Sequence, residues 1–218
     1  PMNGYEWDVK EPFAWNWLDS RLLRGGPDVR FGSYFLTSAK FNTDKAKRMM
    51  FMLKYEGDHN FEGNRFNTIS PSLTFRLGNH VYLSGQLDYA WNTDEMQYVA
   101  TTSPLSSSSL APYYYVMGHM DQKTYGLTLK LQVNVTPDIS IQFYGAPFTS
   151  IAKYDDFKLA ADTKSHTFEN RFQRIDPDQL TYADGVYTIG EGAGQMPFRN
   201  PDFRFNEFRS NLVARWEY

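Results

Sequence analysis

From Ile69 onward the chain alternates between apolar and polar residues with a period of two. Ile69, Pro71, Leu73, Phe75 and Leu77 hold the odd positions, and Ser70, Ser72, Thr74 and Arg76 the even ones. After Gly78-Asn79 the pattern resumes. Val81, Leu83, Gly85, Leu87, Tyr89 and Trp91 then oppose His80, Tyr82, Ser84, Gln86, Asp88, Ala90 and Asn92. Such a period sends successive side chains to opposite faces, which defines extended strand and excludes helix.

The same signal recurs along the chain. Tyr125, Leu127, Leu129, Leu131, Val133 and Val135 alternate with Thr124, Gly126, Thr128, Lys130, Gln132 and Asn134. Beyond the turn residues Thr136-Pro137-Asp138, Ile139, Ile141, Phe143, Gly145 and Pro147 share one face. Phe208, Ser210, Leu212, Ala214, Trp216 and Tyr218 form the last apolar row, and Met49, Phe51, Leu53 and Tyr55 an early one. Arg30 to Lys40 reads as a weaker strand of the same kind.

Strand length decides what sort of sheet this is. Strands of soluble proteins are typically about 5–6 residues long, whereas about 9–11 are needed to cross a bilayer at a tilt. These alternating runs are of the longer kind, and one face of each is polar throughout. The charged residues Arg76, Asp88, Lys130, Arg209 and Arg215 all fall on that polar face. On a lipid-facing position a basic residue would cost roughly 2–4 kcal/mol at mid-membrane. Connections alternate as well. Asn42-Thr43-Asp44, Gly78-Asn79 and Pro137-Asp138 are short, whereas 57–64, 93–120 and 149–201 read as long loops. The expected fold is therefore all-β: an antiparallel transmembrane β-barrel of outer-membrane type, to which the chain contributes about seven or eight strands of a larger barrel. Residues 1–27 read as a strand-like segment ending in the RGGP loop, and 28–218 as barrel strands with their extracellular loops.

Composition changes this picture little. The chain of 218 residues has no Cys, which removes disulfides and thiolate chemistry. Its net charge of −3 gives no basic footprint for nucleic acid. Five Trp, 15 Tyr and 17 Phe are many rings for a chain with mean hydropathy −0.56. Tyr89, Trp91, Tyr125, Trp216 and Tyr218 stand at strand ends, where aromatic girdles form. No run approaches the roughly 20 apolar residues of a membrane helix.

Three stretches carry a family resemblance: MDQKTYGLTLKLQVNVTPDISIQFYGAPFTSIAKYDDF at 120–157, DSRLLRGGP at 19–27, and the ending FNEFRSNLVARWEY. They resemble the carboxy-terminal outer-membrane barrel of a family of large Bacteroidota proteins, a domain of unknown function. That family commonly carries an amino-terminal sandwich similar to a family 9 carbohydrate-binding module. The resemblance implies a bacterial outer-membrane location and a chain that is part of a longer protein. It implies contact with outer-membrane lipid, with other outer-membrane proteins or lipoproteins, and with glycan.

Candidate chemistry is sparse. Asp155-Asp156 is a carboxylate pair with no second acid fixed by spacing, so glycosidase chemistry is not expected. His59, His80, His119 and His166 stand in no ligand spacing. Gly190–Gly194 follows a strand-like segment, but Pro197 and Pro201 leave no helix to receive a phosphate. Neither an enzymatic role nor a cofactor or metal is expected. The loop aromatics Tyr113, Tyr114, Tyr115, Tyr154 and Phe157 are the candidate ligand-stacking residues, with loop packing as the alternative. The polar face, with Arg48, Lys54, Arg76, Lys130, Arg209 and Arg215 against Glu56, Asp88, Glu207 and Glu217, reads as a salt-bridged lumen. The functional expectation is an outer-membrane anchor, pore or scaffold. Its alternative is a glycan-binding or glycan-processing protein whose carbohydrate-binding domain lies outside this chain.

Overall fold

A computed structural model describes residues 6–10, 12–44, 46–78, 80–105 and 112–217. The amino-terminal strands are short: β1 (Glu6–Lys10), β2 (Phe13–Ala14), β3 (Trp17–Asp19) and β4 (Val29–Phe31). The long strands follow as β5 (Tyr34–Asn42), β6 (Met49–Asn60), β7 (Arg65–Leu77), β8 (Val81–Thr102), β9 (Tyr114–Asn134) and β10 (Ile139–Ala160). A four-residue helix, α1 (Phe168–Arg171), leads to β11 (Phe172–Arg174). Then come β12 (Leu180–Ala183), β13 (Val186–Ile189), β14 (Met196–Arg199) and the last strand, β15 (Phe203–Trp216).

The main sheet is antiparallel and runs β1–β5–β6–β7–β8–β9–β10. The far side of β10 carries β15 along Ile139–Ala152 and β11 along Lys158–Ala160. Among the described residues the sheet does not close: β1 and β15 each pair on one side only. The antiparallel all-β expectation is met, and closure is not seen. A 25.3 kDa chain folded as a compact globule exposes about 10,300 Å² by the usual size scaling, against 14243 Å² here. The excess is the signature of a sheet whose two faces are not covered.

Burial on those faces is inverted. Leu73, Leu83, Leu87, Leu129, Ile141 and Leu212 are exposed, Leu87 at 46%. On the opposite face Ser70, Thr74 and Ser150 are buried, Ser70 at 7%. Register confirms the sorting: Leu83 pairs with Leu131, Leu87 with Leu127, Leu131 with Phe143, and Phe143 with Leu212. Each row of apolar side chains thus runs sideways across neighbouring strands.

The sequence underestimates how far the strands extend. β8 continues to Thr102 and β9 begins at Tyr114, so most of the expected loop 93–120 is strand. β10 covers 149–160 of the expected loop 149–201, and β6 covers 57–60 of the expected loop 57–64. The physical reason is register change. Irregularities fall between Asp94 and Gln97, between Tyr98 and Ala100, and between Asp155 and Lys158. An extra residue in one strand turns the following side chains over, so alternation is lost where pairing continues.

The extended ends of β8, β9 and β10 hold two hydrophobic clusters among the described residues. Leu23, Val29, Met96, Met117 and Phe172 form one, and Val116, Phe157, Ile175, Ile189 and Phe198 the other. Val116 and Met117 are adjacent on β9 and point to opposite faces, so the clusters lie on the two sides of one sheet. Val116 lies in phase with Met120, whose partners are Asp94 and Tyr154, and this continues the polar face. The small sheet β12–β13–β14 therefore covers the polar face at this end, and residues 17–31 with α1 cover the other.

Candidate functional site

Two regions carry polar chemistry: the polar face of the long strands and the cap built on their extended ends. On the face, hydrogen bonds run both between strands and along them. The Ser70 hydroxyl and the Gln86 amide both donate to Asp88 Oδ1, at 2.6 and 2.8 Å. Asn92 Nδ2 donates to Gln122 Oε1 at 3.4 Å, and Gln122 Nε2 to the Ser150 hydroxyl at 3.0 Å. Thr124 and Ser150 hydroxyls are 2.9 Å apart. These contacts satisfy buried polar groups that would otherwise be costly.

The structure brings Arg76, Asp88, Lys130, Arg209 and Arg215 to this one face, as their alternation requires. Lys130 pairs in register with Ser84 and Tyr144, Asp88 with Gly126, Arg209 with Ala146, and Arg215 with Ser140. The expected salt-bridged interior is only partly realised. Lys54 meets Glu56 at 2.6 Å and Arg209 meets Glu207 at 2.8 Å, each two residues away on its own strand.

The loop aromatics do not converge. Tyr113 is exposed, while Tyr115 packs on the first cluster, its ring against Gly26. Tyr154 is half-buried and packs on the second cluster. Phe157 is 4% exposed, held between the rings of Tyr187 at 4.9 Å and Phe198 at 5.0 Å. It is core, and offers no face to a ligand. Tyr114 is half-buried and opposes Thr102. Exposed Tyr182, 4.6 Å from Tyr187, ends a ring series that begins at buried Phe157.

An ionic chain crosses the cap. Glu95 Oε1 lies 3.0 Å from His119 Nδ1, whose Nε2 lies 3.6 Å from Asp121. Glu95 Oε2 lies 3.9 Å from Lys158 Nζ, which is 3.5 Å from Asp156. Asp156 also holds Arg174 at 2.9 Å. Asp155-Asp156 thus belongs to a bulge in β10 where one carboxylate is committed to two cations. Burial pushes the Asp94 carboxyl up, against the hydrogen bond it accepts from the Met96 amide. Burial likewise raises the Tyr154 phenol, helped by Asp94 and Asp202. No cluster of three or more His, Asp or Glu able to hold a metal occurs among the described residues.

A further buried pair was invisible in the sequence. Glu62, at the β6–β7 turn, receives both guanidinium nitrogens of Arg171 and the Gly32 amide. One hundred and nine positions separate the partners, and only the fold brings them together. The Gly190–Gly194 run forms a short 3₁₀ turn between β13 and β14, with no helix following it.

An antiparallel, all-β protein whose long sheet is apolar on one face and polar on the other is the class that this geometry defines. The chain belongs to the family described as domain of unknown function (DUF5916), whose model matches residues 7–187. No curated protein and no solved structure matches it.

Proposed function

We propose that this chain is part of the wall of an outer-membrane β-barrel that serves as anchor, pore or scaffold, in contact with outer-membrane lipid. The observation that carries the reading is the inverted burial. Leu73 of β7, Leu83 and Leu87 of β8, Leu129 of β9 and Ile141 of β10 are exposed, while serine and threonine on the reverse are buried. In water such a surface would be an aggregation hazard, whereas in a bilayer it is the favoured side. β8, β9 and β10, at 21 to 22 residues, have length enough to cross and then project beyond the membrane. Closure would come from strands added at the β1 and β15 edges, either from the same polypeptide or from another outer-membrane protein. The cap on the polar face would then cover the outer mouth.

Cysteine labelling tests this reading. Leu83→Cys and Leu127→Cys should be protected from aqueous maleimide in membranes and shielded by lipid. Ser84→Cys and Thr128→Cys should be reached only through the lumen. Uniform aqueous labelling of all four positions would exclude a membrane wall.

A further inference from the structure

The charges on the polar face are segregated along the strands. Nearest the short connections the face carries Arg48, Arg76, His80, Lys130 and Arg215. Towards the cap it carries Glu56, Asp58, Asp88, Asp94 and Glu207, interspersed with Lys40 and Lys54. Within β5–β10 and β15, the half of this face before Asp88 has no carboxylate; Glu6 of the edge strand β1, opposite Asn42, is the nearest described acid on that side. The acids flanking it, Asp44, Asp138 and Glu217, belong to the connections beyond the strand ends.

That cationic half is also hollowed. A depression of about 210 Å³ lies against Tyr82, Lys130, Gln132 and Tyr144. A second of about 160 Å³ shares Tyr82 and Gln132 and extends to Arg76 and His80. A third of about 260 Å³ continues from Arg76 to Lys40. Shared residues make these one groove from β15 and β10 across to β5. Arg76 and Lys130 are exposed within it, and the Gln132 amide and the Tyr82 phenol lie between them.

We propose that this groove binds small anions bearing phosphate or carboxylate groups. A guanidinium offers paired donors to such oxyanions, and an ammonium a point charge. The Gln132 and Gln142 amides and the Tyr82 and Tyr144 hydroxyls supply neutral donors alongside them. A surface on which cations outnumber acids also concentrates anions near it, an effect that weakens with salt. Should the barrel reading hold, the groove would line the lumen near its short-turn mouth and favour anion passage.

The probe is inorganic pyrophosphate, titrated calorimetrically at low ionic strength into the full native chain in detergent. Binding is expected, with Arg76→Gln and Lys130→Gln each weakening it about tenfold. Both residues are exposed, and unchanged gel mobility of the unheated protein would show that the variants fold. Lys123→Gln removes the same charge from the opposite face and should leave binding unchanged. Absence of binding, or equal weakening by Lys123→Gln, overturns the proposal. Labelling and titration fail separately: bound pyrophosphate with uniform aqueous labelling keeps the groove and removes the barrel.

Discussion

Arg171 donates to both carboxylate oxygens of Glu62, and the two side chains are 1% and 13% exposed. The same guanidinium donates to the Arg30 carbonyl, and Glu62 accepts from the Gly32 amide. One ion pair thereby ties the β6–β7 turn, the end of β4 and α1 into a single body. Breaking a buried pair by removing one partner leaves an uncompensated charge and costs about 3–5 kcal/mol. Glu62→Ala and Arg171→Ala should each free residues 161–175 for proteolysis. The double substitution Glu62→Leu with Arg171→Met should recover much of the loss, which limited digestion followed by mass spectrometry would read.

Phe157 anchors the cap's other side. Truncation of a buried Phe costs about 3–5 kcal/mol, and here it removes the ring that contacts both β13 and β14. Phe157→Ala should raise amide exchange across Leu180–Arg199 while leaving β6 and β7 protected. Equal exchange in the variant and parent would mean that the small sheet is held by other contacts.

Asp94 gives a pH dependence with a defined sign. Burial raises its pKa, so the folded state binds the proton more tightly than the unfolded chain. Stability should therefore fall as pH rises from the ordinary carboxylate value of 3.8 through the folded pKa, and change no further above it. Asp94→Asn keeps the acceptor for the Met96 amide and removes the charge. It should unfold at higher temperature than the parent at neutral pH, with the difference shrinking as pH approaches 3.8.

Gly26 shows why the RGGP loop needs its glycines. Arg24 and Gly25 have φ of 49° and 107°, and the Arg24 guanidinium lies 4.6 Å from the Tyr98 ring centre. A Cβ at Gly26 would stand 2.7 Å from both Leu23 Cβ and the Tyr115 ring. Gly26→Ala should cost about 1–3 kcal/mol by overpacking. Tyr115→Ala in the same chain should relieve part of the clash, a coupling that a double-mutant cycle of melting temperatures would measure.

Leu87 and Gln86 are neighbours with opposite expectations. Arginine at Leu87, midway along the regular run Val81–Trp91, should destabilise folding into vesicles by about 2–4 kcal/mol, and arginine at Gln86 by much less. Urea titration of vesicle-inserted protein distinguishes them, and similar losses at both sites would contradict a lipid-facing Leu87.

Where pairing is regular, the sequence alone was enough. The alternation through Ile69–Trp91 and Thr124–Pro147 corresponds to β7, β8, β9 and β10 with the correct face for each residue. It failed above Asp94, because the register irregularities break the period without ending the strands. The amino-terminal segment 1–27 reads as strand-like. Its described part is three short strands, with Phe13 opposite Phe35 and Trp17 opposite Phe31. Among the candidate site residues, the charged set followed from period two alone. The fate of Phe157 did not, because burial under a distant small sheet depends on contacts that no local pattern encodes. Glu62 and Arg171 are paired by segments folding back, and Glu95 and Lys158 across the bulged ends of β8 and β10, and each alone looks like an ordinary surface charge.

The bulges in β8 and β10 have a consequence for what changes this protein can absorb. Below them a residue's side of the sheet is fixed by counting in twos, and above them by counting from the bulge. Removing Asp156 would erase the bulge in β10 and leave Lys158 opposite Met117 and Leu159 opposite Val116, as they are now. Removing one residue from the regular run Ile139–Gly145 would instead turn the residues on one side of the gap over to the other face. Changes of length should therefore collect at the bulges and be rare in the regular pairing below them.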